Sequence, residues 1–192
     1  MNQEILANCR DRYWLKNNHQ MIHYFGLGFI QLKIDQQHRM HFYTPELPPI
    51  VPDEDIHNHR YDFESYVLKG EFEQELFDVY TMSPYGESLY HSHIKEFESC
   101  QENGGVKNSL KMPCMISSAS KHTYNAGSHY FMSHRTFHRV KATNCITLLE
   151  RGDYKEDLAE VIRPKDAAKV CPFSQKIETD TLWGIVEKML GD

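Results

Sequence analysis

The spacing of apolar and polar positions changes several times along the chain. Between residues 3 and 16, Ile5, Leu6, Cys9, Tyr13 and Trp14 share one face at helical spacing, which predicts a short amphipathic helix. From about Tyr24 to Tyr43 this gives way to FGLGFIQLKI, a polar DQQHR and then MHFY, which predicts two strands around a turn. TPELPPIVPDED follows, and a segment so rich in proline lacks the N–H donors a sheet interior needs, so it reads as a loop. Glu64 to Tyr80 alternates at period two, with Glu64, Tyr66 and Leu68 on one face and Phe63, Ser65 and Val67 on the other. Lys69-Gly70 reads as a hairpin turn dividing that stretch into two strands. Further short strands are predicted at 88–93, 114–117, 123–125, 129–133, 137–140 and 145–151, with turn signals at ENGG and at Ala126-Gly127. Leu182, Ile185, Val186, Met189 and Leu190 form an apolar stripe that predicts a closing helix over about 180–190, capped by Thr179 or Asp180.

Many short strands separated by frequent turns predict an all-β antiparallel sandwich or barrel, flanked by an N-terminal helical segment and a C-terminal helix. The 192 residues suffice for one sizeable core, and residues 1–192 read as a single domain, with the barrel over about 22–163. A formal net charge of −6 provides no global basic field, so neither nucleic acid nor a membrane surface is an expected partner. No apolar run approaches the roughly 18 residues of a membrane-spanning helix. The first 20 residues mix acids, bases and amides without the apolar core of a secretory leader, so the expected location is cytoplasmic. The 5 cysteines form no C-x-x-C pair, which argues for reduced, mostly buried thiols over disulfides or a thiolate zinc site.

Histidine is the unusual residue, with 12 in the chain. His57 and His59 stand at positions i and i+2, which a strand would place on one face, aimed at one point. This is imidazole spacing for a metal rather than thiolate spacing. Glu64 lies an odd number of positions beyond His59. It joins the pair only if residues 60 to 63 bend the chain, and then Tyr66 and Leu68 line a pocket beside it. A further ligand must come from a distant strand, and His138 is the candidate, opening a strand after a glycine turn and a polar corner. His91 and His93 repeat the i, i+2 spacing and could form a second metal pair, but read more readily as a surface strand. His122, His129 and His134 lie near the second candidate segment, where one of them could reach the pocket, although each alone reads as a structural or surface residue. His19, His23, His38 and His41 carry no signal. Tyr61, Tyr66, Tyr124 and Tyr130 are aromatic candidates for the pocket wall, and Arg139 is expected on the opposite face, toward solvent.

These residues resemble the cupin superfamily. Its first motif has two histidines one residue apart, a glutamate, and a glycine about six positions later; His57, His59, Glu64 and Gly70 are similar, with five residues between Glu64 and Gly70. Its second motif has a glycine, a corner, a histidine and a later asparagine. Gly127, His138 and Asn144 resemble it, although the corner SHRTF lacks the usual proline and glycine and Asn144 falls two positions late. YDFESYVLKGEFEQELF, FHRV and ITLLERG together resemble a widespread group of small single-domain cupins.

The resemblance implies a double-stranded β-helix, or jelly-roll barrel. It also implies a divalent ion (Fe, Mn, Ni or Zn) held by His57, His59, His138 and Glu64, with Glu64 alternatively an acceptor orienting a ligand, or a general base. The function implied is a metal-dependent enzyme, foremost a dioxygenase-type oxidoreductase acting on a small metal-chelating organic substrate. A metal-dependent isomerase or lyase, and a non-catalytic ligand-binding or regulatory cupin, are the alternatives. A homodimer joined by sheet edges fits the family, and the polar segment 83–111 is a candidate partner surface.

Overall fold

The computed structural model describes residues 3–47, 49–50, 56–81, 93–100, 106–108, 112–164 and 175–191, with backbone alone at 93–100 and 106–108. The N-terminal helical segment is broken in two, α1 (Gln3–Asn8) and α2 (Arg12–Asn18). The break is chemical: Asp11 leaves the helix to accept hydrogen bonds from the backbone N–H of Tyr13 (2.8 Å) and Trp14 (3.2 Å), capping α2. Three strands follow where two were expected: β1 (Met21–Phe25), β2 (Phe29–Lys33) and β3 (His38–Tyr43). The glycines of FGLG turn the chain inside what reads as one apolar run, with Gly28 at φ +91°.

The larger correction concerns Gly70. It does not turn a hairpin; β5 runs unbroken from Tyr61 to Thr81. Its partner β10 (Phe137–Tyr154) likewise joins two predicted strands into one. The two bend together. Gly70 has φ +78°, Asn144 opposite it has φ +50°, and the register slips between Thr143 and Ile146. A β-bulge paired with a glycine lets both long strands turn a corner without ending. The predicted strands at 114–117 and 123–125 are also one, β8 (Met112–Asn125). The expected strand at 88–93 lies largely outside the described residues.

The remaining strands are β4 (Ile56–His57), β6 (His93–Cys100), β7 (Val106–Asn108), β9 (His129–Met132) and β11 (Ala159–Pro164). All pairings are antiparallel, and their path closes: β10 to β4, β11, β6, β8, β5 and back to β10. Beyond the corner, β10 and β5 also carry β3 and β9 on their outer sides, extending the sheet through β2 to β1. The fold is an all-β antiparallel barrel with few helices.

Strand alternation sorts the side chains into layers. On β3, Met40 and Phe42 face outward onto a core shared with Leu15, Ile146, Leu148 and the last helix, α3 (Thr179–Leu190). Leu182 and Val186 of α3 are essentially fully buried there, each contributing roughly 1.5–3 kcal/mol. The predicted side-chain cap is missing: Glu178 stands at the N-cap and makes no capping bond. The opposite face of the same strands carries an aromatic interior of Phe29, Tyr43, Tyr61, Phe63, Phe72 and Tyr130. Among the described residues Cys9, Cys114 and Cys145 are buried free thiols, and no helix is long and apolar enough to cross a membrane.

Candidate metal centre

His57 and His138 are cross-strand partners, β4 against β10. Directly opposed residues on an antiparallel pair project to the same face, so 81 positions of sequence collapse into one contact. Their ring centroids are 4.7 Å apart, and His59 lies 5.0 Å from each. One ring nitrogen from each of the three falls within 4.8 Å of the others, a set able to hold a divalent ion. Among the described residues no carboxylate joins this cluster.

His59 Nε2 and His138 Nε2 stand 2.8 Å apart. Two such atoms repel unless a proton or a cation lies between them. Burial, and then the neighbouring imidazoles, push both rings well below the ordinary histidine range, so both are neutral at physiological pH and keep a lone pair for coordination. His138 is held from behind by Gln74, whose amide lies 2.9 Å from Nδ1. The residue between the two clustered histidines, Asn58, points the other way. Its backbone and side chain exchange three hydrogen bonds with Glu160 of β11, at 2.7 to 3.0 Å, and fix the segment that presents His57 and His59.

Glu64 is not brought to this cluster. From His57 through His59, Tyr61, Phe63, Ser65 and Val67 the odd-numbered positions all face inward, and the parity change that Glu64 required does not occur. Glu64 sits on the outer face, accepting a 3.0 Å hydrogen bond from the Tyr66 hydroxyl, and Tyr66 stacks on His129. Leu68 packs against the outer apolar core under α3. Neither Tyr66 nor Leu68 lines the cavity.

That cavity has a volume of about 470 Å³ and opens beside the three histidines. Tyr61, Phe63 and Tyr130 wall it from β5 and β9, and Phe25, Phe29 and Tyr43 from β1, β2 and β3. Tyr61 and Tyr130 are therefore in the wall; Tyr124 packs behind, 4.5 Å from Tyr130 between ring centroids. His122, His129 and His134 do not reach it. His134 instead binds Asp62 through its backbone N–H (2.8 Å) and Nδ1 (2.7 Å), pinning the corner before β10. Arg139 does face away from the cavity, but it is paired with buried Glu75 at 2.6 Å rather than free in solvent. His91 lies outside the described residues, and His93 begins β6.

Arg39 and His41 are among the cavity residues that escaped the sequence reading. Arg39, His41 and Tyr43 alternate with the core residues Met40 and Phe42 and so face inward. That alternation is present in HRMHFY and was the available signal. His41 Nε2 lies 3.1 Å from the Gln31 amide and Nδ1 3.4 Å from Thr147 Oγ1. Burial, followed by the charges of Arg39 and His23, lowers its pKa to about 3.

The chain is similar to hydroquinone 1,2-dioxygenase from Sphingomonas sp. TTNP3 with 4-hydroxybenzoate bound, at 10% identity and a TM-score of 0.33, over 62% of this chain and 62% of that one. It is similar also to the hydroquinone 1,2-dioxygenase PnpCD in complex with Cd2+ and 4-hydroxybenzonitrile, at 10% identity and a TM-score of 0.33, over 63% of this chain and 61% of that one. The chain thus spans under two thirds of the length of either enzyme. No protein-family model matches it. No curated protein matches it.

Proposed function

We propose that the protein is a metal-dependent cupin, and that His57, His59 and His138 hold a divalent ion at which a small organic substrate is oxidised by dioxygen. The observation that carries this reading is the convergence of three ring nitrogens within 4.8 Å at the wall of a 470 Å³ cavity. The cupin-like motifs around His57, His59, His138 and Asn144 support it, as does the barrel built on the β5–β10 corner. Residues 1–192 form one such unit in this reading.

A bound ion would supply Lewis acidity and, if it is iron, a site for dioxygen chemistry. Burial keeps His59 and His138 deprotonated. Gln74 fixes the His138 ring, and the Asn58–Glu160 clamp fixes the segment carrying the other two imidazoles. Phe63 packs edge-on to His59 at 4.7 Å and, with Tyr61, excludes water from one side of the cluster. Three protein ligands leave coordination positions for a chelating substrate.

Metal content by elemental analysis tests this, on protein purified without affinity tag or chelator, beside His57→Ala and His138→Ala. Near-stoichiometric iron, manganese, nickel or zinc, lost in both variants, is expected, and iron with oxygen consumption would identify the oxidative branch. Protein that neither contains metal nor binds it on titration would overturn the reading and leave a ligand-binding barrel.

A further inference from the structure

The lining of the cavity is cationic. Among the described residues Arg39, Arg60 and Arg163 border it against one acid, Asp157. The histidine cluster adds no negative charge, because its three ligand atoms all belong to imidazoles. The chain as a whole has a formal net charge of −6, so this positive lining is local. Low-dielectric walls focus such a field into the cavity and favour anions there.

Arg39 faces this cavity from β3. Among the described residues no carboxylate lies within ion-pair distance of it, and its Nε is buried without a hydrogen-bond partner. Its guanidinium lies over the ring of Tyr61, 5.3 Å from the centroid, and that ring is 5.8 Å from the ring of His59. One aromatic side chain therefore separates the unpaired cation from the histidine cluster. A part-buried guanidinium with no anion forgoes much of its hydration, and a ligand carboxylate matches its planar fork.

We propose that Arg39 anchors the carboxylate of a small organic acid with an apolar body, held with its far end toward His57, His59 and His138. Phe29, Tyr43 and Phe72 supply the apolar wall for that body. The orientation rests on the metal-site reading above; the contact between Arg39 and the carboxylate does not.

The test is calorimetric titration of the full chain, stripped of metal, with benzoate, phenylacetate and hexanoate, each beside its primary amide. At least one acid is expected to bind more tightly than its amide. Its affinity should fall at least tenfold in Arg39→Gln and to an intermediate value in Arg39→Lys, with thermal midpoints confirming that both variants fold. Acids and amides binding alike, no acid binding, or an unchanged affinity in Arg39→Gln would each overturn the proposal. Metal content measured on each preparation before stripping keeps the two readings apart. Metal held without Arg39-dependent acid binding removes the anchor alone, and Arg39-dependent acid binding without metal removes the metal site alone.

Discussion

The side-chain amide of Gln74 lies 2.9 Å from Nδ1 of His138, and both residues are buried. An amide offers a donor and an acceptor from the same place, so Gln74 can hold either tautomer of that ring. With the nitrogen toward Nδ1, the proton of His138 sits on Nε2, facing His59. With the oxygen there, Nδ1 carries the proton and Nε2 presents its lone pair to a cation. Gln74→Leu removes this control. Divalent-ion affinity should drop about 10–100-fold while the barrel stays folded. Gln74→Glu, which accepts from Nδ1–H more strongly, should retain the affinity or raise it. Competition with a chromophoric chelator reads both; an unchanged affinity in Gln74→Leu would show that the amide does not orient the ligand.

Glu64 provides the complementary test. On the outer face, bonded to the Tyr66 hydroxyl, it has no route to the histidine cluster. Glu64→Gln should leave metal stoichiometry and affinity within about twofold of wild type, since exchanges away from a site seldom exceed 0.5 kcal/mol. Loss of the ion in this variant would restore the carboxylate to the ligand set.

How much of this was legible depends on which period the sequence expresses. His57, His59 and His138 could be named because imidazoles at i, i+2 and a distant strand-opening histidine leave a local mark, and the alternation of β5 was plain. The face assigned to Glu64 was not, because a bend had to be assumed to bring it inward, and HNHRYDF keeps one parity throughout. Arg39 and His41 were missed although HRMHFY alternates, since polar residues facing a cavity look the same as polar residues facing water. Gly70 read as a hairpin because Lys-Gly commonly turns a chain; only the opposing bulge at Asn144, 74 positions away, makes it a corner in a continuous strand.

The neutral histidines of β1 and β3 predict a stability profile. In the unfolded chain His23 and His41 titrate near 6.5; folded, burial and then Arg39 lower them to about 4 and about 3. Between those values the unfolded state binds more protons, so their contribution is complete above about pH 6.5 and is lost as pH falls toward 4 and 3. Each excess proton costs about 1.4 kcal/mol per pH unit in that window. Urea denaturation from pH 7.5 down to 4.5 should therefore show stability falling below pH 6.5. His41→Gln, which retains hydrogen bonding to Gln31 and Thr147, should shallow the slope by close to one proton. An identical slope in the variant would mean that His41 is protonated in the folded chain.

Two glycines with similar backbones should respond differently to alanine. Gly70 and Gly127 both have positive φ, +78° and +91°, where an L-residue costs about 1–2 kcal/mol. At Gly127 an added Cβ meets nothing within 4 Å, and the turn keeps its bonds to Val67, so Gly127→Ala should lose only that strain. At Gly70 the same atom runs into the carbonyl oxygen of Asn144, backbone that cannot move without opening the bulge on β10. Gly70→Ala should cost clearly more, above about 2 kcal/mol. Because the corner also sets how the half of β10 bearing His138 meets β4, it should weaken metal retention, which Gly127→Ala should not. Urea midpoints and metal content of the two variants decide the matter: equal losses would show that β5 and β10 can part at the corner freely, and that the barrel does not depend on their bending together.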